Sequence, residues 1–581
     1  MELSVMRKIS VTVLIGVACC LLWSCHEPEY VAPTAMRQGI TSLTAFFADG
    51  PYAEKEWGRL EIDDPDQSDF VIPLSYYYPA DSEEKAGKYQ IAVRVKASIG
   101  DNCKIDPPLG ILDLTDENEF NFTGPDGTTR KITITGKLVK SSVCRILSFR
   151  TADGTVGVVD EPGLKVWLPT DNDLSNVTAQ AVISSHTSIS PDPASAANYN
   201  SGTEFTITSE DGETKVTYTV MRGYPPTLDY GYSTASMEQM FNIEPRAIGL
   251  PDIAEPVNVS MAVLDGMLVV NFATGDAPRY YHQVTGASVG SLPLGDAVPT
   301  GSIASDEGGN MLLCNLAQPT ETFSIWKTSS LSAAPALFHS FVNDQDVPVG
   351  GTMKVIGNLD TEAVITVVYD GIPGVTSSGR FRAIHVVGGA IVDDQIINLL
   401  GSGLSWGGGA ANGTCVAAAS PTMNDGWYTC YYSDNRLYWV KKDLSIGSSL
   451  NGMGPNNEQM YLNGNVDANN LDSKRFNNAS YMVLFASTHF PSWWPGPQLY
   501  VYDISSFTLP GTNVWDSTAL TFSIDNNNMY NLQHEKGATT EYTASGDVIL
   551  APSPDGYKLY LYCYDHYAQM LIGFSVDCLK R

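Results

Sequence analysis

The sequence lacks long periodic helical patterns, runs of basic residues and the short motifs that mark most enzymes. Charged residues make up only 17% of the 581 residues, and 34 Lys and Arg face 64 Asp and Glu, a formal net charge of −30. Because an acidic surface repels phosphate backbones, this balance disfavours nucleic acid as a partner. The missing helical pattern and a hydrophobic content of 43% predict an all-β chain rich in turns.

Motifs for metal, cofactor and nucleophile chemistry are also missing. The sequence has no nucleophile elbow, phosphate loop, HExxH motif or dinucleotide fingerprint, and its eight histidines do not cluster. The cysteines after residue 25 show neither CxxC nor zinc spacing, so we predict small buried side chains, with one oxidised pair left open. Residues 467–472 and 525–528 carry oxygen ligands suited to calcium without EF-hand spacing. We predict turns there and no required cofactor.

The first 25 residues carry the most specific short signal. A basic pair precedes an apolar run over residues 9–23, which is too short to span a bilayer comfortably and predicts a secretory signal. The run ends in LWSC at residues 22–25, which resembles a bacterial lipobox. The resemblance implies a signal peptide over residues 1–24 and acyl chains on Cys25 that hold the protein to a membrane. An uncleaved anchor with an incidental cysteine is the alternative.

Residues 25–37 form a polar, Pro-containing tether that separates the folded part from the bilayer. The carboxylates of Glu27 and Glu29 lie just behind the lipid cysteine. They resemble the surface-export signal of Bacteroidetes-type lipoproteins, which implies the outer face of the outer membrane.

Two modules follow whose last hairpins repeat. Phe120 and Phe205 are 85 residues apart, as are Asp126 and Asp211. Each Asp is followed by Gly, which supplies the positive φ of a tight turn between alternating strands. We predict two Ig-like sandwiches, over residues 38–139 and 140–223. They resemble the tandem Ig-like domains of unknown function behind lipoprotein signals in Bacteroidetes-type surface proteins, which implies spacers; direct ligand binding by them is the alternative.

The rest of the chain, residues 224–581, repeats one aromatic strand. Residues 434–445 contain a turn, an alternating strand and a second turn, and similar units occur at residues 280–286, 323–332, 381–388, 498–505 and 571–579. Each unit follows another strand-like run, at residues 267–272, 311–316, 363–369, 426–432, 481–486 and 547–551. A ring of such antiparallel sheets is a β-propeller. We predict six or more blades, with residues 506–532 as a place for a seventh; a large β-sandwich or β-helix is the alternative.

The loops of this domain hold the candidate binding residues. Phe490, Trp493 and Trp494 lie in a loop where Pro and Gly prevent strand formation, and flat aromatic faces suit sugar rings. The same loop could instead fold back over its blade. Trp406 lies among glycines that allow close approach of a ligand or of another backbone. Trp427 is a further candidate, although it opens a strand and is also explained by packing.

An enzyme would need paired acids, and the sequence pairs none. A glycoside hydrolase generally uses two carboxylates at a set separation. Acids in or near predicted loops are Asp344, Asp346, Asp393, Asp394, Asp467, Asp472, Asp525 and Asp565. We interpret them as solvated loop carboxylates and predict no catalytic residue.

The whole arrangement resembles the cell-surface lipoproteins with which Bacteroidetes-type bacteria capture polysaccharides beside an outer-membrane importer. The resemblance implies a non-catalytic protein that binds a polysaccharide or other glycan for uptake, with an importer complex as a further partner. Two alternatives stay open. One is a surface adhesion or structural protein that binds a protein partner, and the other is a propeller glycoside hydrolase or polysaccharide lyase.

Overall fold

The computed structural model describes residues 39–64, 66–243, 259–372, 375–406, 414–431, 435–453, 471–486, 498–524, 546–565 and 570–581. The predicted signal peptide, Cys25 and the tether lie outside these residues. Within the described chain, strands dominate and the helices are short 3-10 turns at Gly50–Tyr52, Ala86–Tyr89 and Leu400–Ser402. No helix in the described ranges is long and apolar enough to cross a membrane. Contacts divide the chain into two compact units, one up to residue 143 with 209–214, the other 144–208 with 215–581.

The first sandwich contains eight strands in two four-stranded sheets. The strands are β1 (Ile40–Phe47), β2 (Glu56–Glu61), β3 (Asp69–Ser75), β4 (Val93–Ile99), β5 (Lys104–Asp106), β6 (Ile111–Leu112), β7 (Asn118–Thr123) and β8 (Thr129–Val139). The sheet orders are β2-β1-β4-β6 and β3-β8-β7-β5. Strand β3 shows the alternation that buries one face, because Phe70, Ile72 and Leu74 enter the core while Val71 is exposed.

The second sandwich repeats this plan. Its strands are β9 (Ile146–Thr151), β10 (Val158–Asp160), β11 (Lys165–Leu168), β12 (Ala179–Ile183), β13 (Ser188–Ser190), β14 (Thr203–Thr208) and β15 (Lys215–Arg222). They form the sheets β10-β11-β15-β14-β13 and β12-β9. In each sandwich the last strand pairs in parallel with an earlier one, β8 with β3 and β15 with β11, and in antiparallel fashion with its hairpin partner. The repeat seen in the sequence is therefore a repeat of topology.

The predicted hairpins have the turn chemistry that the sequence indicates. Phe120 and Phe205 are both buried, and Gly127 and Gly212 take φ of 80° and 78°. These left-handed values favour Gly after Asp in a tight turn.

The remaining strands form six four-stranded sheets. The strands are β16 (Ser233–Ile243), β17 (Ser260–Leu264), β18 (Met267–Asn271), β19 (Arg279–His282), β20 (Ser288–Ser291), β21 (Ile303–Ser305), β22 (Met311–Cys314), β23 (Thr322–Thr328), β24 (Ala336–Val342), β25 (Val349–Asn358), β26 (Glu362–Tyr369), β27 (Arg380–Val387), β28 (Ala390–Asn398), β29 (Thr414–Ala418), β30 (Trp427–Tyr431), β31 (Arg436–Val440), β32 (Ile446–Asn451), β33 (Leu471–Phe476), β34 (Ala479–Ala486), β35 (Gln498–Asp503), β36 (Leu520–Ile524), β37 (Gly546–Pro552), β38 (Lys558–Asp565) and β39 (Met570–Asp577).

These sheets are the blades of a six-bladed β-propeller. Blades 1 to 5 take four consecutive strands each, starting with β17, β21, β25, β29 and β33, and blade 6 has the order β37-β38-β39-β16. The inner strands touch in a closed circle from β17 through β21, β25, β29, β33 and β37 back to β17. Because β16 from the start of the domain completes the blade built from its end, the ring is closed by strand pairing. The predicted fold class, two sandwiches followed by a propeller, is confirmed.

The repeated aromatic strand is the third strand of every blade. Residues 437–440 lie in β31, and the other units coincide with β19, β23, β27, β35 and β39. In blades 1 to 5 the preceding run is the second strand, as expected. In blade 6 the run at residues 547–551 is instead the inner strand β37, and β38 lies between it and β39. The place suggested for a seventh blade supplies β36, the outer strand of blade 5.

The domain boundaries drawn from the sequence stay predictions. The second sandwich and the propeller fall into one compact unit.

Candidate functional site

The inner strands of the propeller all start at the same end of the ring. Between blades 1 and 2, Ile303 N donates to Ser260 Oγ at 2.9 Å and Val263 N donates to Ser305 Oγ at 3.1 Å. From the first contact to the second, the residue number rises along both strands, so β17 and β21 run parallel. The inner strands of blades 4 and 5 are also parallel. Cys415 Sγ donates to the Leu471 carbonyl oxygen, and Ser473 Oγ donates to the Ala418 carbonyl oxygen. We call the end where inner strands begin the upper face.

The connections differ between the two faces. Every outer strand and every second strand ends at the upper face, and these include the described strand ends that flank residues 454–470, 487–497 and 525–545. The opposite face has two-residue turns with positive φ at both residues, at 265–266, 388–389 and 477–478, and one long connection at 504–519. Long variable connections are where binding residues concentrate.

The axis of the ring is crossed by an ion pair between opposite blades. Lys354 in blade 3 places Nζ 2.8 Å from Oδ1 of Asp547 in blade 6, and 3.3 Å from the Val548 carbonyl oxygen. The second oxygen of Asp547 accepts the backbone N–H of Met261 in blade 1 at 2.5 Å. The two side chains are 5% and 0% exposed. One pair thus joins three blades in a dry environment.

A second buried pair lies beside the first. Lys474 in blade 5 donates to both oxygens of Asp472 at 2.8 and 3.0 Å, and to the Val355 carbonyl oxygen of blade 3 at 2.6 Å. Asp472 also accepts the N–H of Leu550 in blade 6 at 2.9 Å. Each ion therefore has hydrogen bonds beyond its partner, which is the condition under which a buried pair is tolerated.

A third pair closes the lower end of the axis. Arg475 in blade 5 donates from Nε to Oε2 of Glu307 at 2.8 Å and from its backbone N–H to Oε1 at 2.7 Å. Glu307 belongs to the β21–β22 turn of blade 2, opposite blade 5 in the ring. We call the six residues Glu307, Lys354, Asp472, Lys474, Arg475 and Asp547 the axial cluster. It holds three positive and three negative charges and bridges the channel.

The protonation of the first pair follows from burial. Burial raises the pKa of Asp547 to about 6, although the charge of Lys354 opposes this. Burial alone would lower the pKa of Lys354, but the charge of Asp547 outweighs it and the pKa is raised. Both groups are therefore ionised at neutral pH. Through these contacts the axial cluster joins blades 1, 2, 3, 5 and 6.

The propeller matches the model of a known protein family. Residues 239–577, more than half of the chain, match the model of a domain of unknown function, DUF8500. The chain belongs to the DUF8500 family. Two further domains of unknown function match the sandwiches, DUF5018 at residues 20–136 and DUF8499 at residues 146–222. No curated protein matches the chain.

Solved structures resemble this DUF8500 chain only distantly. A DUF4623 family protein from Bacteroides eggerthii is 13% identical over 76% of this chain and 99% of its own, with a TM-score of 0.40. Regucalcin, a calcium-binding protein from Agrobacterium tumefaciens, is 11% identical over 57% and 94%, with a TM-score of 0.30. A GH43 endo-arabinanase from Bacillus licheniformis is 10% identical over 56% and 95%, with a TM-score of 0.25. Likeness at these scores carries no argument about function.

Two of the predicted binding tryptophans lie in the core of the DUF8500 domain. Trp406 and Trp427 are each 2% exposed. Trp406 donates from Nε1 to the Tyr369 carbonyl oxygen at 2.9 Å, and the Trp427 ring packs edge-on against Phe381 with centroids 4.9 Å apart. Neither ring offers a face to solvent, so a role as a surface platform for sugars does not fit their placement. Phe490, Trp493 and Trp494 lie outside the described residues and stay predictions.

Four carboxylates that the sequence suggested were solvated loop groups are in strands: Asp393, Asp394, Asp472 and Asp565. Asp472 lies in β33 within the axial cluster. Asp394 lies in β28, where Arg382 donates to its two oxygens at 2.5 and 2.9 Å and His339 Nε2 lies 2.9 Å from Oδ2. Burial raises the pKa of Asp394, but the hydrogen bonds of His339 and Arg382 outweigh it and the pKa is lowered. Since β24 carries His339, this rim cluster joins blades 2 and 3.

Candidate metal ligands and cysteines can be located in the part of the chain that the structure describes. No group of three or more His, Cys, Asp or Glu side chains within it is placed to hold a metal ion. None of the seven described cysteines forms a disulfide. Cys415 and Cys430 are cross-strand neighbours, and burial raises the pKa of both. As expected from the sequence, six of the seven are buried.

Proposed function

We propose that this protein is a lipid-anchored surface protein whose propeller captures a polysaccharide or other glycan for uptake without transforming it. The axial cluster carries the proposal. Its carboxylates are each paired with a cation and hydrogen-bonded to a backbone amide, and two of the three pairs, Lys354 with Asp547 and Arg475 with Glu307, join opposite blades. Among the described residues, the axis is thus a rigid support and not an open pair of acids. A rigid ring with long connections on one face favours a binding surface.

The contacts proposed for the glycan are aromatic. Phe490, Trp493 and Trp494 belong to the connection between β34 and β35, whose flanking residues Ala486 and Gln498 end at the upper face of blade 5. Stacking of indole rings on the C–H faces of sugars, with neighbouring polar groups for the hydroxyls, would bind without chemistry. The anchor on Cys25 would keep this face at the cell surface beside an importer.

The binding half of the proposal is tested with soluble protein that lacks residues 1–25. Affinity electrophoresis in gels that contain starch, arabinan, xylan, galactan or mannan, together with a glycan array, is expected to show retention on at least one polysaccharide. Trp493→Ala and Trp494→Ala are expected to weaken it. The matched control is Trp515→Ala, because Trp515 is 40% exposed and lies in the 504–519 connection of the opposite face. Retention by no glycan, or an equal effect of all three substitutions, contradicts the proposal.

The anchoring half is tested in cells. Wild-type protein is expected to incorporate labelled fatty acid and to be removed from intact cells by added protease. Cys25→Ala is expected to abolish the label and to release the protein from the membrane fraction. Labelling that survives Cys25→Ala would show that the cysteine is not the lipid acceptor.

A further inference from the structure

The first sandwich carries a group of aromatic rings at the ends of its strands. Phe47, at the end of β1, is fully buried and stacks on Trp57 with centroids 4.8 Å apart and planes at 20°. Around Phe47 stand three tyrosine rings, with centroid distances of 5.6 Å to Tyr52, 4.7 Å to Tyr78 and 5.2 Å to Tyr89. We call Tyr52, Tyr78 and Tyr89 the tyrosine cluster. It is a partly exposed layer on a buried aromatic floor.

Three separate segments bring these rings together. Tyr52 ends the helix Gly50–Tyr52, Tyr78 follows β3, and Tyr89 ends the helix Ala86–Tyr89. The backbone holds each segment, since Glu54 N donates to the Phe47 carbonyl oxygen at 2.8 Å and Ala86 N donates to the Tyr76 carbonyl oxygen at 2.9 Å. Tyr52 meets Tyr78 and Tyr89 nearly edge-on, at 72° and 78°. The arrangement of the rings is therefore fixed before any ligand arrives.

The rings present both apolar faces and hydroxyl groups. All three tyrosines are partly exposed. Burial raises the pKa of Tyr78 to about 12 and also raises that of Tyr52, so both phenols keep their protons at neutral pH. Within the described chain, neither hydroxyl hydrogen-bonds to another protein group. Each can donate to and accept from a ligand that reaches it.

Charged side chains of both signs surround the cluster. The ammonium group of Lys88 lies 5.1 Å from the centroid of the Tyr89 ring and 2.9 Å from Oε1 of Glu84. The ammonium group of Lys85 lies 5.4 Å from the centroid of the Tyr76 ring, two residues before Tyr78. A purely apolar partner would bury the hydroxyl groups of Tyr52 and Tyr78 without hydrogen bonds. A ligand with apolar C–H faces and many hydroxyls can pack its C–H faces against the tyrosine rings and bind the surrounding polar groups through its hydroxyls.

We propose that the tyrosine cluster is a saccharide-binding site that takes a pyranose ring of a glycan chain. The choice of glycan as ligand rests on the proposed function, while the site itself is separate from the propeller and gives the first sandwich a role beyond that of a spacer. Binding at two modules of one chain would raise the retention of a long polysaccharide by effective concentration.

The test uses the soluble protein and the same five polysaccharide gels. The double variant Tyr52→Ala/Tyr89→Ala is expected to weaken the Kd for the retained polysaccharide about tenfold or more, since a stacked ring and its hydrogen bonds contribute more than about 1 kcal/mol. Tyr52→Phe/Tyr78→Phe, which keeps the rings and the fold, is expected to weaken it less. Tyr224→Ala is the matched control, because Tyr224 is 57% exposed and lies after the second sandwich.

The outcomes separate this inference from the proposed function. Loss of retention in the tyrosine variants, with or without loss in Trp493→Ala, supports the inference. If both tyrosine variants are retained as strongly as the wild type, the inference is overturned. The proposed function then still stands if Trp493→Ala weakens retention. Wild-type protein that no glycan retains overturns both. A dimer in sedimentation velocity that Tyr52→Phe/Tyr78→Phe dissociates would show that the cluster contacts a second copy, which also overturns the inference.

Discussion

Lys354 and Asp547 form an ion pair across the axis of the propeller, with Nζ and Oδ1 2.8 Å apart. They belong to blades 3 and 6, which face each other in the ring. Strand pairing closes the ring along its circumference, whereas this pair closes it through its centre. Blades that share no edge are thus held at a fixed distance.

Removal of one member of this pair is expected to destabilise the propeller. Lys354→Met leaves the carboxylate of Asp547 buried without its cation, and such changes lower the free energy of unfolding by about 3–5 kcal/mol. Chemical unfolding at neutral pH, followed by tryptophan fluorescence, measures the loss. The control is Lys354→Met/Asp547→Leu, which removes both charges and is expected to recover most of the stability. Equal stability of the single and the double variant would contradict this account.

The same carboxyl group predicts a pH dependence of stability. Its pKa is raised from 3.8 to about 6 by burial, against the opposing charge of Lys354. The folded protein therefore binds more protons than the unfolded chain between about pH 4 and about pH 6, and the contribution of Asp547 to stability falls as the pH rises through this window. Unfolding of the wild type and of Asp547→Asn is compared at intervals across the window. The wild type is expected to lose stability relative to the variant, by about 1–3 kcal/mol; a constant difference would show that Asp547 does not titrate there.

Most of the strand order followed from local patterns. The third strands were recognised by their alternating aromatics. Each blade packs between two others, so both faces of β31 are covered: the adjacent residues Leu437 and Tyr438, which point to opposite faces, are 0% and 4% exposed. Asp-Gly turns were equally informative, since positive φ restricts the residue type.

The axial cluster was not predictable in this way. Lys354 and Asp547 are 193 positions apart, and no pattern within a strand shows which residue lies across the ring. The available signal was Lys354 in the largely apolar strand β25. A lysine is not expected in a buried strand unless its charge has a partner. Trp406 shows the reverse case. Its neighbouring glycines allow close approach of a ligand or of another backbone, and the structure shows the second: Trp406 Nε1 donates to the Tyr369 carbonyl oxygen, and the Tyr431 ring lies 6.1 Å away between centroids.

The rim cluster of blades 2 and 3 is expected to depend on the shape of arginine. Arg382 binds Asp394 with two nitrogens and lies 3.7 Å from the centroid of the Phe341 ring. Lysine keeps the charge but loses the paired hydrogen bonds and the flat contact, so Arg382→Lys is expected to lower the free energy of unfolding by about 1–2 kcal/mol. Arg436→Lys, at an exposed position of β31, is the control and is expected to change it by less than about 0.5 kcal/mol. Similar losses in both variants would argue against a special role of the guanidinium geometry.

Arg145 is expected to hold the second sandwich against the propeller. Its Nε lies 3.1 Å from Oε1 of Glu161 in the sandwich, and its Nη2 forms an ion pair with Glu238 in β16. Because all three side chains are about one-third exposed, the bridge is sensitive to solvent and salt but retains part of its strength. Arg145→Ala is expected to increase the amide hydrogen exchange of β10 and β16 about fivefold, which corresponds to about 1 kcal/mol. The matched control is Arg150→Ala, an exposed position on β9, and unchanged exchange in Arg145→Ala would show that other contacts hold the two domains together.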